Sequence, residues 1–411
     1  MNTAVAIAVA GLASSASLAQ LDAQQARFLD LANAQVRQTA QPVSTAEPAP
    51  HRGFIISTQD GRNTMRIDGL MQFRYIATFD AQQEGESDDF ASGFQHQRTR
   101  FGVGGKLGDA GFGYRAFVQI NSDGSFSLVD AFLTRELAEG WTLRFGQFML
   151  PFDRERFGTS PVNVLAVDRS VVDSVFALDR SQGVMLTYVA ERFRVSGALS
   201  DGRRATNSRY NSANSADYAL SARAEGRFGD APWSQFNTMT GYRGDQFGML
   251  LGAGFHFQED GNIPVPVGDD SAGRFYGYTA DIGFEGDGWS ALAAFQGRTI
   301  DASGGSVTDL GFVVQGGVAI SDHADVFARY AMLFPDNDRA GGSDDFSAIT
   351  VGMNYYFVPR SQAVRLTGEV VYYPETRDDS ASIVNTSDGL ALLRDDSGGQ
   401  VSVVLQMQFQ F

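Results

Sequence analysis

Arginines at even spacings mark the first third of the chain. Arg66 and Arg74 lie eight positions apart, and Arg98 and Arg100 lie two apart, within runs that alternate apolar and polar residues. A strand places successive side chains on opposite faces, so each pair would share a face. Guanidinium groups stay charged and bind carboxylate or phosphate through two parallel hydrogen bonds. The spacing therefore predicts a basic surface that attracts anions.

The strands that carry these cations follow one another in sequence and should be neighbours in a sheet. The alternation in residues 95–107 places His96 on the same face as Arg98, Arg100 and Lys106. Parity across these strands predicts one basic wall, made of Arg66, Arg74, Arg98, Arg100, Lys106, Arg115 and Arg144.

Later strands place both positively and negatively charged side chains on the same face as the basic wall. The additional residues are Arg194, Arg223, Arg227, Arg298, Arg329 and Arg365, with the acids Glu225, Asp281, Glu285 and Glu369. Two interpretations therefore remain open. The wall sets an anion preference, or opposed rows of charge neutralise each other and set only a transverse field.

The last eleven residues indicate which solvent surrounds these strands. Residues 401–411 read VSVVLQMQFQF, with one parity wholly apolar and the other mostly amide. In a transmembrane barrel about 9–11 residues cross the bilayer, and lipid-facing apolar residues alternate with polar ones facing the lumen. The final Phe411 resembles the C-terminal aromatic that the outer-membrane assembly machinery recognises, so we predict that it is an assembly signal.

Composition excludes several classes of protein. The chain has 411 residues, no cysteine, and a mean hydropathy of −0.17, with no internal apolar run long enough for a transmembrane helix. Its net charge of −16 argues against a nucleic-acid partner. Four scattered histidines and no cysteine leave little for a metal centre, and we predict no cofactor.

Period-two runs recur about sixteen times between residues 65 and 411, and predict an all-β, antiparallel transmembrane barrel. Tight turns alternate with long polar loops, which is typical of outer-membrane barrels and puts both barrel ends on the periplasmic side. The connection 229–246 is longer than this scheme predicts. A soluble β-sandwich or propeller is the alternative.

The N-terminal region differs from the rest. Residues 1–19 have an apolar core and end in Ser17-Leu18-Ala19, which predicts a signal peptide, although no basic residue precedes the core. Residues 20–50 predict a short periplasmic helical segment and a proline-rich linker, and residues 51–411 the barrel. The alternative is that the first twenty residues form a helix of the mature protein.

The insertion at residues 149–181 is rich in apolar residues as well as charge. Such a loop should pack against something. It could fold into the lumen and narrow it, or it could pack on neighbouring external loops or form part of a subunit contact.

Short motifs around this insertion carry a resemblance to a known family. They are Arg98-Thr99-Arg100-Phe101, Asp130-Ala131-Phe132, Gly146-Gln147-Phe148-Met149-Leu150-Pro151-Phe152, Asp168-Arg169-Ser170 and Arg180-Ser181-Gln182-Gly183-Val184. Together they resemble the phosphate-selective porin O and P family, over about residues 53–411. The resemblance implies a sixteen-stranded barrel, a homotrimer, and an inward-folded constriction loop at residues 151–179. On that basis the constriction charges are Arg154, Arg156, Asp168, Arg169, Asp179 and Arg180.

One departure limits what the resemblance implies. Phosphate-selective members use lysine clusters as well as arginines, whereas Lys106 is the single lysine here. Phosphate selectivity is therefore not carried over.

These observations predict a channel of the bacterial outer membrane for passive diffusion of small hydrophilic solutes or ions, with outer-membrane lipid around it. The alternative is a structural or surface-binding barrel whose lumen is plugged by its own loop. An enzyme is not predicted, since a barrel hydrolase would need a serine and a histidine on adjacent strands. Gly102-Val103-Gly104-Gly105-Lys106 lacks the Ser or Thr and the helix of a phosphate loop.

Overall fold

The computed structural model describes residues 54–80, 90–121, 124–264, 273–302, 305–339, 344–375, 383–384, 391–393 and 399–411. The predicted signal peptide (1–19) and periplasmic segment (20–50) lie outside these residues, so both remain predictions. In the described part of the chain, no helix is long and apolar enough to cross a membrane.

Seventeen strands, one short α-helix and one 3-10 helix make up the described fold. The strands are β1 (Phe54–Ser57), β2 (Thr64–Asp80), β3 (Phe90–Leu107), β4 (Phe112–Ile120), β5 (Phe126–Ala138), β6 (Trp141–Met149), β7 (Arg180–Val189), β8 (Phe193–Ser200), β9 (Tyr218–Gly229), β10 (Gly248–Glu259), β11 (Arg274–Gly286), β12 (Trp289–Ala302), β13 (Gly305–Ser321), β14 (Ala324–Phe334), β15 (Phe346–Tyr356), β16 (Val364–Tyr373) and β17 (Gln400–Gln410). The α-helix is α1 (Val171–Phe176), between β6 and β7.

Strands β2 to β17 form a closed antiparallel barrel. Each pairs with the next along the chain, and β17 pairs with β2 from Gln400 opposite Asp80 to Gln410 opposite Leu70. The predicted all-β barrel of sixteen strands is confirmed. Strand β1 was not predicted. It pairs with Thr64–Ile67 of β2, just beyond the point where β17 ends.

Alternation in β17 matches the prediction that one face meets lipid. The outward Leu405 is 49% exposed, whereas its inward neighbours Val404 and Gln406 are 3% and 0% exposed. Since the sheet closes on itself, the backbone polar groups of the paired stretches are satisfied within the wall. An apolar outer face and a polar inner face can then coexist on each strand.

Strand β3 corrects the predicted face of His96. A β-bulge offsets the pairing, so that Arg98 lies opposite Gln72 while His96 lies opposite Phe73. The extra residue, Gln97, reverses the parity of everything before it. His96 therefore points outward and contacts the Phe73 ring edge-on, with 6.4 Å between ring centroids. The arginines after the bulge keep the predicted inward face.

The two ends of the barrel differ as predicted. Connections at the end that holds Phe411 are short, such as 139–140 and 287–288, whereas the opposite end carries long ones, including 150–179 and 201–217. One connection departs from this pattern, because residues 230–247 form a long connection at the short-turn end. At the opposite end, the connection 150–179 contains α1. We call residues 150–179 the constriction loop.

The barrel seam ends at Phe411. Its N–H and C=O both hydrogen-bond to Gly69 of β2, at 3.0 Å each. Its ring lies on Gly69, where an added Cβ would be 2.3 Å from a ring carbon, and it also contacts the rings of Phe54 and Phe409. The last residue therefore closes the seam through its backbone and covers it with its ring.

We expect Phe411→Ala to reduce the amount of folded barrel in the outer membrane, while each channel that does form keeps its conductance. The substitution removes the ring that covers the seam but leaves the charged side chains of the lumen intact. Heat-modifiable migration of the membrane fraction on gels measures the folded amount. Phe255→Ala, another half-exposed outward aromatic, is the control. Equal folded amounts of the two variants would contradict an assembly role for Phe411.

Candidate functional site

The constriction loop folds into the barrel and fills one side of it, as predicted. Helix α1 buries Val171, Val172, Val175 and Phe176 against inward residues of β12 to β16. The loop segment Val164–Ala166 packs on Leu292 and Phe327. Both contact regions lie on the same half of the barrel wall. A third part of the loop, with Leu150, Phe152 and Leu178, packs on residues of β6 to β8, β11 and β12. The cavity that remains faces β2 to β7.

Buried polar contacts fix the conformation of this loop. Ser170 caps α1 by accepting a hydrogen bond from the Asp173 N–H, and it donates its hydroxyl to Glu155. Arg154 donates to the Thr159 hydroxyl at 2.8 Å and is 5% exposed. Buried polar groups that find partners specify one arrangement. The constriction loop is therefore an ordered element of the barrel interior.

A cavity of about 510 Å³ lies between the constriction loop and the early strands. It extends from Gln410 and Phe411 at the short-turn end to Met149 and Arg180 at the base of the loop. We call it the wall cavity. Eight arginines and three aspartates line it, namely Arg66, Arg98, Arg100, Arg115, Arg144, Arg156, Arg169, Arg180, Asp68, Asp130 and Asp179.

Three of the lining arginines have no acidic partner. In the described residues, no carboxylate oxygen lies within 4 Å of Arg100, Arg144 or Arg169. Arg100 donates to the Gln119 amide oxygen at 2.7 Å, and Arg169 donates to the carbonyls of Glu155 and Thr159. Arg144 instead stacks over the Phe132 ring, 4.4 Å from its centroid. Their charges therefore face the cavity without direct neutralisation.

The other lining arginines share a smaller set of acids. Asp130 contacts Arg180 at 2.7 Å and Arg115 at 3.6 Å, and Asp68 contacts Arg66 at 2.8 Å and Arg115 at 3.6 Å. Each acid therefore serves two cations. The cavity keeps an excess of positive charge after these pairs are formed.

Arg156 and Asp179 lie where two cavities of the open side meet. Both line the wall cavity, and both also line a second cavity of about 280 Å³ with Ser174, Arg204 and Thr206 on the long-loop side. Arg156 donates to Asp179 at 2.8 Å and forms a second pair with Asp173. A solute that crosses from one cavity to the other must pass this pair.

Asp168 ties the loop to the open wall. One of its oxygens accepts a hydrogen bond from Arg74 at 2.5 Å, and the other forms an ion pair with Arg98 at 3.0 Å. Burial by itself would raise the pKa of this carboxyl, but the two guanidinium groups outweigh burial and hold the pKa below its usual range. Asp168 is therefore ionised at neutral pH and attaches the loop to both β2 and β3.

The half of the barrel opposite β2 to β7, which we call the filled half, also carries inward arginines. These are held by acids or by loop carbonyls. Arg223 forms a bidentate pair with Asp281, and Arg298 pairs with Asp309 at 2.8 Å. Arg365 donates to the Val164 carbonyl of the constriction loop. On this half, the arginine charges are therefore largely neutralised, which was one of the two interpretations left open by the sequence. The excess of cations lies on the other half.

Most predicted site residues lie at the wall cavity, but Arg74, Lys106, Arg154 and Asp168 are not part of its lining. Arg74 is 2% exposed and holds Asp168, and Arg154 is buried inside the loop. Lys106 is exposed near the end of β3 and is not part of the cavity lining. Arg180 lines the cavity from β7 rather than from the loop. Sequence reasoning missed Asp130 as a pore residue, although the Asp-Ala-Phe motif contains it.

A serine and a histidine do meet on adjacent strands. Ser221 of β9 lies opposite His256 of β10, with 2.8 Å between the hydroxyl oxygen and Nδ1. The other ring nitrogen contacts the Gln258 amide, and the two side chains are 3% and 0% exposed. The pair is buried, and none of the described carboxylates hydrogen-bonds to it. In the described part of the chain, no group of three acidic or histidine side chains is placed to hold a metal ion.

Comparison with known proteins gives a family match. Residues 70–237 match the family model described as phosphate-selective porin O and P. This confirms the resemblance over a stretch that holds the constriction loop and all of the basic wall except Arg66. The chain is an outer-membrane porin. It forms a channel across the bacterial outer membrane, and its lipid-facing side is the apolar face described above.

Solved structures share the fold of this porin at low sequence identity. OmpT of Vibrio cholerae is 12% identical, with a TM-score of 0.59 over 87% of this chain and 100% of that one. The anion-selective porin from Comamonas acidovorans is 11% identical, with a TM-score of 0.57 over 85% and 100%. The channel DcaP of Acinetobacter baumannii is 15% identical, with a TM-score of 0.56 over 88% and 100%. No curated protein matches the chain by sequence.

Proposed function

We propose that the porin is a passive diffusion channel that prefers small hydrophilic anions, and that these permeate through the wall cavity past Arg156 and Asp179. The observation that carries this proposal is the set of three cavity-lining arginines without an acidic partner. Selectivity in a pore follows the charge ring and the radius at its constriction. Guanidinium groups there lower the energy of an anion and raise that of a cation.

The comparisons agree with this proposal. One protein of the same fold is described as an anion-selective porin. A further solved form of the Vibrio cholerae OmpT is described as a trimer, which supports our proposal that this porin also assembles as a homotrimer. We likewise propose that residues 1–19 are removed on export and that residues 20–50 lie in the periplasm. The proposed function includes no catalysis.

Planar-bilayer recording of the purified protein tests the channel. We expect discrete conductance steps, and in a salt gradient a zero-current potential whose sign corresponds to anion preference. A potential of the opposite sign would overturn the anion preference. Silence of the native protein together with steps from a variant with a shortened constriction loop would instead support the plugged barrel.

A further inference from the structure

The connection between β9 and β10 folds into the barrel instead of forming a plain turn. We call residues 230–247 the inner turn. It contains a short 3-10 helix, Gln235–Asn237, and its first part packs Ala231 and Phe236 against Leu250 of the adjoining strand. Ala231 and Phe236 are 0% and 3% exposed. The inner turn is therefore a packed element of the barrel interior.

The second part of the inner turn crosses toward distant strands. The Met239 carbonyl accepts from Ser290 of β12 at 2.7 Å, and Thr240 contacts the Tyr356 hydroxyl of β15 at 3.3 Å. Gly241 lies against the Trp289 carbonyl so closely that an added Cβ would be 2.0 Å from its oxygen. The chain thus spans the periplasmic mouth from β9 and β10 to β12 and β15.

The inner turn also supports the constriction loop from below. The Met239 N–H donates to the Asn163 carbonyl at 2.9 Å, and the Asn163 side chain donates to the Asn237 carbonyl at 3.0 Å. Met239, which is 5% exposed, packs with Val164 and Leu165 of the loop. Loop and turn therefore form one packed body on the filled half of the lumen.

Little space remains inside this body. The cavity between Arg154, Leu165, Met239 and Ser290 measures about 20 Å³, which is room for a single water molecule. The wall cavity on the other half measures about 510 Å³. The larger of these two cavities therefore lies away from the inner turn, on the side of the early strands.

We propose that the inner turn is a second constriction element, which closes the filled half of the lumen at the periplasmic mouth and so directs all permeating ions past the arginine wall. The proposal rests on the proposed function, because it assigns selectivity to confinement as well as to charge. Without the inner turn, ions would also pass beside β12 to β15, where arginines are paired with acids. Selectivity would then fall while conductance rises.

Cysteine accessibility tests the closure, since the natural chain contains no cysteine. Ser290→Cys places a thiol behind the inner turn, and Ser160→Cys places one in the wall cavity. With the native turn, we expect a charged, membrane-impermeant thiol reagent to label position 160 but not position 290. When residues 231–246 are replaced by Asn-Gly, position 290 should become labelled, and conductance should rise about twofold as the open cross-section grows.

A second variant keeps the turn at full length. Met239→Asp places a charge in the buried contact, which should drive the turn out of the lumen and expose position 290 even if the shortened variant does not fold. Labelling at position 290 beside a native turn would overturn the proposal. So would unchanged conductance in a folded variant whose position 290 is labelled. Labelling does not depend on ion selectivity. A native channel without anion preference would therefore overturn the proposed function, but the labelling of position 160 and not of position 290 would still support closure by the inner turn.

Discussion

Arg100→Gln combined with Arg144→Gln should move the zero-current potential of the porin toward zero. Neither arginine has a carboxylate within 4 Å in the described residues, so each contributes an unneutralised charge to the wall cavity. One charge at about 4 Å changes the energy of an ion by about 1 kcal/mol in water, which is about fivefold in relative permeability. The pair should therefore lower the ratio of anion to cation permeability by about fivefold if an ion approaches one of the two charges, and by about twenty-fivefold if it approaches both.

Charge-conserving substitutions separate charge from shape at the same positions. Arg100→Lys with Arg144→Lys should keep the native potential, because a lysine ammonium supplies the same charge on a different stem. Arg62→Gln, in an exposed turn, should also leave it unchanged. If the glutamine and lysine variants gave the same potential, the unpartnered arginines would not be what sets selectivity.

Asp168→Asn should release the constriction loop from the open wall. The amide keeps the size of the carboxyl but leaves Arg74, which is 2% exposed, with an unpaired charge. Removing one partner of a buried ion pair costs about 3–5 kcal/mol. We expect a lower unfolding temperature and noisier single-channel current, because the loop would fluctuate across the wall cavity.

The pH response of the native protein provides a second measurement of this contact. Since the pKa of Asp168 is lowered in the fold, its ion pairs stabilise the loop above the usual carboxyl pKa of about 4 and are lost only as pH falls through the lowered value. The native current should therefore stay steady between about pH 5 and 8. Asp60→Asn, in an exposed turn, is the control. A variant at Asp168 with native noise and stability would contradict the attachment.

Periodicity in the sequence was sufficient for the barrel. The alternation in residues 401–411 places Leu405 in lipid and Gln406 inside, as the structure has them. A closed barrel has only two faces, so parity alone decides where each side chain points. That argument fails only at an irregularity. The bulge at Gln97 reversed the predicted face of His96, and nothing in the local sequence identifies the extra residue.

Parity also could not decide which inward arginines meet the pore. Arg74 and Arg98 share the inward face, yet Arg74 is buried beneath Asp168 while Arg98 also lines the wall cavity. The difference depends on where the constriction loop lies. That position is set by contacts between residues about seventy to ninety positions apart. Sequence analysis predicted that the loop enters the lumen, but it could not predict which wall the loop covers.

The sequence by itself determined the barrel, its lipid-facing surface and the basic early strands, because each follows from side-chain alternation and local composition. The inward fold of the loop was implied by the family resemblance. Only the tertiary structure decided that the loop and the inner turn fill the same half of the lumen. That choice depends on packing between α1 and β12 to β16, and between Met239 and Leu165, which are long-range contacts. It leaves the arginine-rich half open, and so converts a barrel with charges on both sides into a channel with one basic wall.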